Sequence, residues 1–83
     1  MAGYHLREIP RGTYGELSKI KEEIEEIEDS ITQGCKVMEL VELSDLYGAI
    51  EGYLCKYHPT VTMEDLRVMS SITKRAFKSG ARG

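Results

Sequence analysis

Apolar positions recur at helical spacing in three separate stretches of the chain. Leu17, Ile20, Ile24, Ile27 and Ile31 are spaced three, four, three, four. At ~100° per residue they fall within an arc of about 80°. Thr13 followed by Glu16 matches a capping box just ahead of this series, and Gly34 stands where a terminating glycine belongs. The pattern predicts a first helix over 14–33. A second series, Leu40, Leu43, Leu46, Tyr47, Ile50 and Leu54, stops at His58-Pro59. Proline disfavours the helical state of the residue before it, so the second helix is expected over 36–57. Thr62 with Asp65 makes another capping-type start, and Leu66, Met69, Ile72, Thr73 and Ala76 trace a third helix to about Lys78.

Residues 1–12 hold no sustained period and are read as an irregular N-terminal arm, 13–79 as the helical domain, and 80–83 as a frayed tail. No strand-like alternation occurs. The short link at Gly34 makes the first two helices an antiparallel hairpin. The expected fold is all-α: a helical hairpin plus a third helix, with a four-helix-bundle-type core completed by oligomerisation.

Composition sharpens this picture. A chain of 83 residues hides only roughly 60–65% of the surface its unfolded form exposes, so its core is thin and a partner subunit or a metal is expected to supplement it. No apolar run approaches the ~18 residues of a membrane span, and residues 1–10 show no charged-then-apolar leader. Cys35 and Cys55 are too few for a disulfide framework and lack the companions of a zinc site. A cytoplasmic protein with reduced thiols is expected, without membrane contact. Eleven basic against 14 acidic side chains give a net charge of -3, which argues against general nucleic-acid binding.

The charge is unevenly placed. Glu16, Glu22, Glu23, Glu25, Glu26, Glu28 and Asp29 crowd the first helix against Lys19 and Lys21. Two acidic pairs stand at i, i+3 spacing, Glu23/Glu26 on helix one and Glu42/Asp45 on helix two. Counted from Gly34, Glu26 and Glu42 are each eight residues away, and Glu23 and Asp45 are each eleven. At ~1.5 Å per residue the pairs lie at matching heights on the two arms. From the centre of its own apolar stripe, Glu23 lies at about -80° and Glu26 at about -140°; Glu42 and Asp45 lie at about -100° and -160°. Equal offsets on an antiparallel pair emerge on the same side, and with axes ~8–10 Å apart four carboxylates can converge. If the apolar stripes form the seam between the helices, these acids face outward, covered in part by helix three and in part by a second copy.

Two carboxylates ~5 Å apart repel by about 3 kcal/mol at an effective dielectric near 20. A cation removes that cost. All-oxygen ligation with room for water suits Mg2+, with Mn2+ as an alternative, and such sites serve phosphate chemistry. The opposing reading is a solvated acidic face. Glu22/Glu25 and Glu25/Glu28 are equally good i, i+3 pairs, so spacing alone leaves the register of helix one open. Helix two favours a site, because Met38, Ala49 and Tyr53 flank its acids and a helix apolar most of the way round is a buried one. Glu39 is read as an outer acceptor or a helix-start charge.

The stretch KEEIEEIEDSI (21–31) followed by VELSDLYGAI (41–50) resembles the MazG-type nucleoside triphosphate pyrophosphohydrolases, whose mark is E-x-x-E, a variable spacer, then E-x-x-D. The resemblance covers about 17–54 and selects Glu23, Glu26, Glu42 and Asp45; the family context K-E-E-x-x-E fits Lys21-Glu22-Glu23-Ile24-Glu25-Glu26 and settles the register. It implies an all-α enzyme that cleaves a (d)NTP to its monophosphate and pyrophosphate. Those four acids would hold Mg2+ at the catalytic site, with a second subunit completing the bundle as a homodimer or homotetramer. Ser44 stands where the family usually has Gly, and Tyr47-Gly48 where it has bulky aliphatics.

Lys74, Arg75 and Lys78 are candidates for binding the triphosphate, against the default of basic residues complementing a helix C-terminus. Lys56 carries the same two readings. His58 is read as a cap or surface residue before a catalytic base, Tyr53 as a packing residue before a base-stacking one, and Tyr4, His5 and Arg7 as arm residues with no assigned role. The rival function is a non-catalytic helical module that dimerises and binds a protein partner, or senses nucleotides without turning them over.

Overall fold

The computed structural model describes residues 8–78, so the expectations for the tail at 80–83 and for Tyr4, His5 and Arg7 lie outside the described residues. Within them the chain forms α1 (Leu17–Gln33), α2 (Lys36–Tyr57) and α3 (Met63–Lys78), with no strand. It is all-α.

Local chemistry accounts for each boundary. Gly34, in the left-handed region at φ 71°, closes α1 with two bonds: its own N–H donates to Ile31 O at 2.9 Å, and Cys35 N–H donates to Ser30 O at 3.2 Å. That is the Schellman arrangement. Cys35 then starts α2 directly, its Sγ accepting from Met38 N–H at 3.4 Å. His58 N–H donates to Leu54 O at 2.7 Å and ends α2 just before Pro59, as a cap. Thr62 and Asp65 form a reciprocal capping box: Asp65 N–H donates to Thr62 Oγ1 at 3.0 Å and Thr62 N–H to Asp65 Oδ2 at 2.9 Å.

The start of α1 differs from the expected residue 14. Glu16 occupies the N-cap position but makes no side-chain cap bond. Its carboxylate is drawn instead to the far end of α2, where it pairs with Lys56 and accepts from Tyr57 Oη at 2.5 Å. Thr13 is also taken, since its N–H donates to Ser18 Oγ at 3.0 Å. Long-range partners outbid the local box.

α1 and α2 pack along each other as a hairpin, whereas α3 makes no more than marginal contact with either. Helix three therefore does not cover the acidic pairs. The larger departure is in which faces meet. The apolar stripes form the seam only in part: Leu54 is buried and Ile20, Ile27, Leu46 and Ile50 are half-buried, but Leu17, Ile24 and Ile31 remain 52%, 46% and 56% exposed, and Leu40, Leu43 and Tyr47 remain 67%, 43% and 57% exposed. What the hairpin buries is Glu23, Asp29 and Ser30 from α1, with Glu42, Ala49, Gly52 and Leu54 from α2. The seam is turned by about 110–120° from each stripe in the same rotational sense. Both stripes therefore emerge on one side of the hairpin as a joint apolar face. Amphipathic spacing marks a face for burial without naming the surface that covers it. The small residues Ala49 and Gly52 line the inner side of α2, where a Cβ on Gly52 would lie 2.4 Å from Tyr14 Cζ.

The described part of the arm is tied to α1 at Gly12, whose N–H donates to Glu22 Oε1 at 2.7 Å. A Cβ at Gly12 would stand 2.3 Å from Ser18 O and 2.5 Å from Lys19 N, both main-chain atoms that cannot rotate away. Gly12→Ala should therefore lower stability by about 1–3 kcal/mol in urea unfolding at fixed protein concentration. Gly48→Ala, where a Cβ meets nothing within 4 Å, should raise it by up to about 1 kcal/mol.

Candidate metal centre

Glu23 and Glu26 stand one turn apart on α1, and Glu42 and Asp45 one turn apart on α2. Each contributes a carboxylate oxygen to a group in which all four lie within 4.8 Å of one another. The convergence expected from matched heights is present. It lies inside the seam rather than on an outward face: Glu42 is 2% and Glu23 3% exposed, Glu26 is half-buried, and Asp45 is open to solvent. The cluster is a cleft with two acids at its base and Asp45 at its mouth.

A solvated acidic surface has water for every oxygen. Here Glu23 Oε1 and Glu42 Oε1 are buried with no hydrogen-bond partner. An unsatisfied buried acceptor costs about 1–3 kcal/mol, and more when charged. Two orphaned carboxylate oxygens, an all-oxygen donor set and an open side fit a hard divalent cation held by Glu23, Glu26, Glu42 and Asp45.

The existing counter-charge comes from Lys19, one turn before Glu23. Its Nζ lies 3.1 Å from Glu23 Oε2 and 3.2 Å from Glu22 Oε1. Glu22 in turn accepts the Gly12 N–H. Burial, shared hydrogen bonding with Glu22 and Glu42, and the charges of Glu23 and Glu42 push the Glu26 carboxyl up to about 8. Burial also raises Glu23, against the opposing pull of Lys19. Burial works the same way on Glu22, but the Gly12 N–H, Glu26 and Lys19 together outweigh it and hold Glu22 below its ordinary value. Near neutral pH the cluster without a cation keeps a proton on Glu26.

The other candidates fall away from this cleft. Glu39 pairs with Lys36 at 3.7 Å in the first turn of α2, as a helix-start charge does. Lys56 is engaged by Glu16 and sits 5.4 Å over the Tyr57 ring. Tyr53 packs on Tyr57 at 4.8 Å between ring centroids and lies 6.3 Å from His58, which is a packing role. Lys74 is exposed on α3, which makes no more than marginal contact with α1 and α2; the side chains of Arg75 and Lys78 lie outside the described residues. Sequence reasoning missed Lys19 and Glu22, although the i, i+4 spacing of Lys19 and Glu23 was the available signal. The chain matches no family model, no curated protein and no solved structure.

The raised Glu26 carboxyl has a consequence for stability. Between its ordinary value of 4.5 and about 8, the folded chain holds a proton that the unfolded chain has released. Folding is then favoured most at the acid side of this window, and the contribution is lost as pH rises through about 8. In metal-free buffer the Tm should fall by several degrees between pH 5 and pH 8.5, and Glu26→Gln should flatten that slope.

Proposed function

We propose that this chain is a Mg-dependent nucleotide pyrophosphohydrolase that cleaves a (d)NTP to its (d)NMP and pyrophosphate, working on a cytoplasmic nucleotide pool. The observation that carries this reading is the convergence of Glu23, Glu26, Glu42 and Asp45 in the seam, with two buried oxygens left unpartnered. The resemblance of E-x-x-E and E-x-x-D to the MazG-type enzymes selects the same four residues and supports it. Bound there, Mg2+ or Mn2+ would polarise a phosphoryl oxygen and lower the pKa of the attacking water. Glu23 and Glu42 serve as fixed donors because packing holds them. Glu26 would complete the donor set from α1, and the solvent-exposed Asp45 would be the ligand nearest an incoming triphosphate.

Incubation with a panel of (d)NTPs and Mg2+ should release pyrophosphate. Glu42→Gln and Asp45→Asn, with helicity retained, should each cut release by more than about tenfold, since even outer-shell partners of metal ligands are worth about 10- to 100-fold. Undiminished release in both would remove the cleft as the catalytic site.

The joint apolar face favours assembly in this reading, and equally in a rival one of a non-catalytic dimerising or nucleotide-sensing module. Leu17, Ile24, Ile31, Leu40, Leu43 and Tyr47 are each more than two-fifths exposed, and exposed apolar patches mark interaction surfaces. We take the working form to be a homodimer or homotetramer in which a second hairpin completes a four-helix bundle. Sedimentation of the wild-type chain should give a dimer or tetramer, and Ile24→Glu should shift it to the monomer. A monomeric wild-type chain at micromolar concentration would rule out this assembly.

A further inference from the structure

A carboxylate that already binds an ammonium is an unusual choice of metal ligand, and Glu23 is such a carboxylate. Its Oε2 lies 3.1 Å from Lys19 Nζ, its Oε1 is buried without a partner, and the residue belongs to the four-acid group. Lys19 is half-buried and has a second acceptor at hand, Glu22 Oε1 at 3.2 Å. Glu22 is also held by the Gly12 N–H at 2.7 Å, a bond that does not involve Glu23. The ammonium can therefore leave Glu23 without leaving the protein.

We propose that Lys19 and a divalent cation are alternative counter-charges at Glu23, and that Lys19 makes cation binding conditional on the triphosphate. This rests on the metal reading above. With the cleft empty, the ammonium neutralises Glu23 and keeps it from being repelled by its neighbours. A bare divalent cation taken up at Glu23 is repelled by the ammonium on the other oxygen or has to push it toward Glu22, so the bare ion binds weakly. A cation arriving with a triphosphate brings oxygens that the displaced ammonium, still anchored near Glu22, can neutralise. Lys19 therefore opposes the bare ion by charge repulsion and favours the ion–triphosphate complex by pairing with phosphate oxygens. Lys19 is thus a selector for the substrate-bound cation over the free one.

The test uses the full chain, Mn2+, and an α,β-imido nucleoside triphosphate that resists cleavage. Free Mn2+ is followed by electron paramagnetic resonance for the bare ion, and the Mn2+–analogue complex by calorimetry. Lys19→Met should bind bare Mn2+ about tenfold more tightly than wild type and the complex about tenfold more weakly, within the usual range of a coupling between sites. Lys19→Arg, which keeps the charge, should stay close to wild type in both. Circular dichroism checks that each variant keeps its helices, and Lys19→Gln serves if the Met variant does not. Unchanged or weaker bare-ion binding in the neutral variant would make Lys19 a positioning residue for Glu23 and overturn the proposal. So would tighter bare-ion binding with undiminished affinity for the complex. Wild-type chain that binds neither form of Mn2+ removes the metal reading itself, which distinguishes that failure from the failure of the Lys19 selector.

Discussion

Like charges drawn together inside the seam of α1 and α2 are the constraint around which this chain is arranged. Folding normally uses an interface between helices to remove apolar surface from water, at roughly 25 cal/mol per Å2. This hairpin gives its interface to Glu23, Glu42, Asp29 and Ser30, and among the described residues the buried hydrophobic side chains are Ala49 and Leu54. The seam is held by other means. Gly52 leaves room for the Tyr14 ring against α2, the Schellman turn at Gly34 sets the antiparallel return, and Glu16 with Lys56 and Tyr57 joins the opposite ends. Repulsion within the cleft is relieved piecemeal, by the Lys19 ammonium at Glu23 and by the proton retained on Glu26.

The boundaries of α2 and α3 were legible because their signals are local. Proline after His58, the Thr62/Asp65 box and glycine at 34 act through the residues next to them, and no distant group competes. The start of α1 was not legible for the converse reason. Glu16 finds Lys56 and Tyr57 some forty positions away, contacts that no spacing rule at Thr13 and Glu16 can register. Cys35 shows a milder case: read as an ordinary thiol, it caps α2 because the αL turn delivers its Sγ to Met38 N–H.

The four acids at the cleft were legible in a different way, through equal distances from the bend. Height along a hairpin depends only on rise per residue and survives a wrong assignment of the seam. Rotation does not survive it. Taking the apolar stripes as the mutual interface put Glu23 and Glu42 outside, whereas both are buried within the pair. The stripe on α1 records that Leu17, Ile24 and Ile31 need cover, and the absence of that cover within the described chain directs it to another surface.

Two reserves of stability are thus left for outside agents, and they are mechanically coupled. Each half-exposed stripe residue forgoes on the order of 1 kcal/mol of burial, and the cleft forgoes the hydrogen bonds of two enclosed oxygens. Pressing a second apolar face onto the stripes fixes the relative rotation of α1 and α2. That rotation decides whether Glu23 and Glu26 remain opposite Glu42 and Asp45. A cation gripping all four acids fixes the same degree of freedom from the inner side. In the proposed reading either agent would lower the ordering cost of the other, which would make assembly and ion binding cooperative without any contact between the two surfaces.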